Sequence, residues 1–137
     1  MGFPDRNKQD KIHLYTTSLM LMVASADENI SANELEIIKK NLVNYFDIDK
    51  DSSKELIKSS YNIIENATDI YEIGSFINES FNNEEKIKLL YCIFEIAYSD
   101  KDFHFMERHI VNQIANILNL NKDKILKAKK EVLENLL

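Results

Sequence analysis

Three observations predict an all-α fold. Pro4, Gly2 and Gly74 are the only proline and glycines in 137 residues, so the chain lacks the turn residues that hairpins and sandwiches require. Ala, Leu, Lys, Glu and Ile fill the long segments, a composition typical of helices. An acidic phrase flanked by apolar runs occurs twice, as Ala-Asp-Glu-Asn-Ile-Ser-Ala-Asn-Glu at 26–34 and Ser-Asp-Lys-Asp-Phe-His-Phe-Met-Glu at 99–107. Asp27 and Asp100, like Glu34 and Glu107, stand 73 residues apart, and Ala24/Ala97, Ile30/Phe103, Ile37/Ile110 and Ile38/Val111 match at the same offset. The repeated unit reads as helix, short acidic turn, helix. It predicts a single domain over residues 1–137, with about seven helices in two pseudo-symmetric halves at about 8–65 and 84–136. Two copies are too few for a solenoid, which favours a closed domain.

The first helix is predicted over about residues 8–25, where Ile12, Tyr15, Leu19, Met22, Val23 and Ala26 recur at helical spacing and Leu14, Leu21 and Ala24 add a second apolar face. An apolar circumference of this kind predicts a central, buried helix. The second opens at the capping box Ser31-Ala32-Asn33-Glu34, puts Ile38, Leu42, Tyr45 and Phe46 on one side, and ends at Asp47-Ile48-Asp49-Lys50-Asp51. A third spans about 52–65 with Asp51 as its N-cap. A short fourth from Asp69 carries Ile70, Ile73, Ile77 and Phe81, and Asn82-Asn83-Glu84-Glu85 caps the fifth. The fifth, with Ile87, Leu90, Tyr91, Phe94, Ala97 and Tyr98, is the expected buried counterpart of the first. A sixth over about 103–118 and a seventh over about 121–136 complete the chain, the last with Ile125, Val132, Leu133 and Leu136 facing inward. The aromatics Tyr91, Phe94, Tyr98, Phe103 and Phe105 read as core, with Phe105 alone expected to be exposed.

A 45% apolar content is enough for a core, and a formal net charge of −6 offers no general attraction to phosphate backbones or anionic lipid, despite a local basic stretch at 122–130. Nucleic acid is not an expected partner. The single cysteine, Cys92, lies in an apolar run, so no intramolecular disulfide forms and a buried thiol in a reducing compartment is expected. The opening Met1-Gly2-Phe3-Pro4-Asp5-Arg6 has no apolar signal core, and runs such as 19–24 are far shorter than the roughly 20 residues of a membrane span. The expectation is a soluble, cytoplasmic protein with no membrane span, associating with membranes only peripherally through a partner.

The repeated Asp-x-x-Ile/Phe-x-x-x-Glu between two helices resembles the TerB family associated with bacterial tellurite resistance, whose domain also occurs in a membrane-anchored DnaJ-type co-chaperone. The most specific stretch is Ile96-Ala97-Tyr98-Ser99-Asp100 followed by Glu107-Arg108-His109-Ile110-Val111-Asn112-Gln113-Ile114-Ala115, and Val23-Ala24-Ser25-Ala26-Asp27 with Glu34-Leu35-Glu36-Ile37-Ile38 repeats it. The resemblance covers nearly the whole chain. It implies an all-helical fold of roughly seven helices, a role in stress response, and Ter-type or chaperone-related protein partners. The chain departs from the family where Gly usually follows the motif Asp, carrying Glu28 and Lys101 there, so that Asn29 and Asp102 are the residues best suited to a left-handed turn.

Asp27, Glu34, Asp100 and Glu107, with His109 as support, are the candidate site, because carboxylates replace the hydration of a hard divalent cation. Such ions take six or more oxygens, and each turn alone supplies too few. A metal centre therefore needs both turns to converge, or backbone carbonyls and waters to complete the shell. Otherwise they serve helix ends, as Glu34 does in its box with Ser31. His104 replaces Ser31 in the second copy, so Glu107 lacks that local role, and His109, about 200° further round a helix, does not point with it at one small ion. Asp47, Asp49 and Asp51 begin like a calcium loop, but Ser52 and Lys58 stand where its Gly and bidentate Glu belong, which favours a polar turn. With no nucleophile motif, phosphate loop or His/Cys ligand set, the leading reading is a non-enzymatic partner-binding module without a fixed cofactor. A divalent-cation sensor using the same residues is the alternative, and a carboxylate-based hydrolase a remote one.

Overall fold

In the computed structural model the described residues are 3–26, 30–66, 69–99 and 105–136, with side chains described over 8–26, 30–66, 69–99 and 108–135. They form seven helices and no strand: α1 Phe3–Ala24, α2 Ala32–Phe46, α3 Lys50–Glu65, α4 Ile70–Ser80, α5 Asn83–Tyr98, α6 Phe105–Ile117 and α7 Lys122–Leu136. α1 begins earlier than its apolar period suggests, because Pro4 sits in the first turn, where a missing N–H costs nothing.

α1 packs against α2, α3, α4, α5 and α6, and α5 packs against α1, α2, α6 and α7, so the two helices that bury the most residues meet at the centre. In α1 every residue from Tyr15 to Leu21 is buried, including Thr16, Thr17 and Ser18. Buried hydroxyls generally find an acceptor, and two of these three do, the Thr16 hydroxyl having none among the described residues. Thr17 donates to the His13 carbonyl at 2.7 Å and Ser18 to the Leu14 carbonyl at 2.8 Å, while Ser60 of α3 reaches the Leu14 carbonyl at 3.4 Å. α5 contributes Leu89, Leu90, Cys92, Ile93, Phe94, Ile96 and Ala97. Cys92 is a free, buried thiol whose pKa burial pushes well above the ordinary range. α4 and α6 approach closely at Gly74, where an added Cβ would meet Ile117 Cγ2 at 2.5 Å. That glycine trades helix propensity for contact.

Two expectations are corrected. The N-cap of α3 is Asp49, not Asp51: its extended backbone lets the carboxylate accept from the Ser52 amide at 2.7 Å and the Ser52 hydroxyl at 3.1 Å, leaving Asp51 inside the first turn. Tyr45 is 40% exposed, while Asn41, one turn before it, is buried. The stripe predicted Tyr45 inward, but near its C-terminal end α2 borders a cleft that the ring lines. Of the inward residues expected in α7, Val132 is buried, Ile125 and Leu133 are half-buried, and the Leu136 side chain lies outside the described residues; Ala128 is buried beside them. Phe103 and the Phe105 side chain also lie outside the described residues.

Backbone turns recur along the chain. Ala26 donates to the Val23 carbonyl at 3.3 Å and Ser99 to the Ile96 carbonyl at 3.3 Å, so α1 and α5 end with the same tightened turn. After α2, Asp47 takes φ 57° and Ile48 donates back to the Leu42 carbonyl at 3.1 Å; after α6, Asn119 takes φ 54°. Both residue types tolerate the left-handed region that reverses the chain. Two residues further on, Asp49 caps α3 and the Asn121 side chain accepts from the Asp123 amide at 2.8 Å. Among the described residues no helix is long and apolar enough to cross a membrane.

Candidate functional site

The first acidic turn connects α1 to α2. Ser25 and Ala26 finish α1 through bonds to the Leu21 and Val23 carbonyls, and Ile30 packs on the core before Ser31 opens α2. Ser31 is extended, with φ −77° and ψ 157°, and its hydroxyl accepts from the Glu34 amide at 3.0 Å. The Glu34 carboxylate returns to accept from the Ser31 amide at 2.9 Å. This is the capping box expected from Ser31-Ala32-Asn33-Glu34. Its environment is unusual for a capping glutamate, because Glu34 is only 2% exposed. A carboxylate so far removed from water carries a large desolvation cost and is held in place by its bonds.

The other candidates are less fully placed. Asp27 and Asp100 lie outside the described residues, and so does the Glu107 side chain, although its backbone belongs to the first turn of α6. His109, on α6, is exposed. The aspartates of the calcium-like segment are helix ends: Asp47 terminates α2 in the left-handed region and Asp49 caps α3. Hydrogen bonds from the Ser52 amide and hydroxyl lower the Asp49 pKa. Among the described residues no three His, Cys, Asp or Glu side chains are grouped to hold a metal ion.

A second polar concentration escaped the sequence reading. Lys40, Tyr45, Lys88, Tyr91, Glu95, Val132 and Asn135 line a cleft of about 420 Å³ between α2, α5 and α7. Burial raises the Glu95 pKa, and the nearby Lys40 charge and Asn41 amide oppose that rise. The Tyr45 phenol is also raised, first by burial and then by Glu95 and Cys92. Tyr91 donates to the Glu131 carboxylate and ties α5 to α7. The available signal was Glu95 itself, the one charged residue in the otherwise apolar run 89–97.

The family model described as "Tellurite resistance protein TerB" matches residues 13–130, a span that begins within α1 and ends within α7. No curated protein and no solved structure matches the chain. With the match extending over most of its length, through both acidic segments, the chain belongs to the TerB family of tellurite resistance proteins.

Proposed function

We propose that this TerB-family chain is a non-enzymatic stress-response module that binds a protein partner through its two acidic inter-helix turns. The observation that carries the reading is Glu34, a carboxylate 2% exposed and fixed by Ser31 at the exit of the first turn. At 2% exposure Glu34 does not itself reach a partner; it anchors the start of α2 beside the acidic turn, which lowers the ordering cost of contacts made there. The repeat supplies a second turn of the same spacing, with Asp100 and Glu107 in place of Asp27 and Glu34. Partner capture from a bacterial lysate, identified by mass spectrometry, compares wild type with an Asp100→Asn, Glu107→Gln double variant. The variant should lose the specific partner while its melting temperature changes little. Retention of the same partner by the folded variant rejects the reading.

A second reading, a divalent-cation sensor using Asp27, Glu34, Asp100 and Glu107, draws on the same buried carboxylate, since hard cations favour oxygen donors. Calorimetric titration with Ca²⁺, Mg²⁺ and Zn²⁺ separates the two. Saturable heat that the double variant abolishes supports the sensor.

A further inference from the structure

We infer that the groove between α2 and α3 is a docking site for an acidic amphipathic helix of a partner protein. The groove has a volume of about 960 Å³, and its α2 wall is a single stripe from Asn33 through Ile37 and Lys40 to Asn44. A stripe of that length is about three helical turns, or roughly 16 Å. Its floor is apolar, with Ile37 half-buried and Val43 36% exposed. Its rim carries Lys39, Lys40, Lys50 and Lys54 against a single acid, Glu36, which pairs with Lys39 at 3.4 Å. This is a concentrated positive surface on a chain of net charge −6.

The lysines of α3 oppose the local stability of their helix. Lys50 is its first residue, where the helix dipole disfavours a cation. Lys54 stands one turn later, and like charges four residues apart repel. Neither makes an ion pair among the described residues. Asp49 and Asp51 flank Lys50 in the chain, but the α3 residues that line the groove are the two lysines, so this wall presents positive charge to an occupant. The apolar floor then selects its class: side chains such as Leu fill the space over Ile37 and Val43, whereas a phosphate backbone would leave it uncovered. An occupant with Leu at i, i+3, i+4 and i+7 and Glu on both flanks matches floor and rim together.

The test is fluorescence anisotropy with a labelled three-turn peptide of that pattern, and a control peptide carrying Lys for every Glu. The Glu peptide should bind in the roughly micromolar range and weaken as salt rises, because the rim is exposed to screening. Lys50→Glu with Lys54→Glu should weaken it at least tenfold, as should Val43→Asp, with circular dichroism confirming that each variant is folded. Reversing Lys122 and Lys127 on α7 to Glu should leave affinity within twofold. Lys50→Glu alone should lower affinity without lowering the melting temperature, a combination that loss of folding does not produce. No saturable binding up to millimolar peptide, equal binding of the Lys peptide, or an unchanged affinity in the double reversal each overturns the inference. Polyphosphate or single-stranded DNA binding as tightly as the Glu peptide reassigns the groove to polyanions. Self-association that disappears in the double reversal reassigns it to a second copy of this chain.

Discussion

The capping boxes of α2 and α5 are the same local device in two environments. Ser31 with Glu34, and Asn82 with Glu85, each exchange two hydrogen bonds between 2.9 and 3.0 Å. Glu34 is 2% exposed, whereas Glu85 is half-buried and its bonds face solvent. Water can replace the bonds of the second box if they break. In the first, a broken bond leaves a polar group stranded beside the core, which is costly. The comparison teaches that a sequence motif sets the geometry of a helix start, while burial decides how much depends on it.

The largest effect tests the reference case, in which matched residues share one environment. Ala24 of α1 and Ala97 of α5 are 0% and 1% exposed, so Ala24→Asp and Ala97→Asp should each cost about 3–5 kcal/mol by burying an unpaired charge. Chemical denaturation measures both. A variant that melts within a degree or two of wild type breaks the central-helix assignment. The boxes come next: Glu34→Ala should cost about 1–3 kcal/mol by orphaning a poorly solvated amide, against about 0.5 kcal/mol for Glu85→Ala. Equal losses in thermal melts would erase the distinction drawn between them.

The smallest effect concerns the pH dependence of another carboxylate pair. Glu95 is half-buried with its pKa raised by burial, so between the ordinary glutamate value and the raised one the folded chain binds more protons than the unfolded chain. Stability therefore falls as pH rises through that window. Asp49, exposed and with its pKa lowered by the Ser52 amide, acts oppositely: its contribution is present above the ordinary aspartate value and is lost as pH falls through the lowered one. Melting temperatures across pH should show Glu95→Gln flattening the first slope and Asp49→Asn flattening the acid limb. A reversed sign in either variant refutes the environment assigned to that carboxylate.

Helix number and type, the starts of α2, α4 and α5, and the apolar faces of α1 and α5 were legible because capping residues and helical spacing act within a few positions of each other. The family could be read from the same short repeats. The start of α3 was misread by two residues because Asp49 and Asp51 are chemically equal caps, and the choice between them rests on where left-handed Asp47 delivers the chain. Tyr45 was misread because a helical stripe specifies a direction and says nothing of whether a neighbour stands there. The need for glycine at Gly74, the burial of Glu34, the raised carboxyl of Glu95 and the lysine groove of α2 and α3 were all decided by tertiary structure. Each depends on residues far apart in the chain, such as Ile117 against Gly74. The sequence determined what every segment prefers to be, since those preferences are short-range. Packing decided which polar groups lose their water, since desolvation depends on everything that surrounds a group in space.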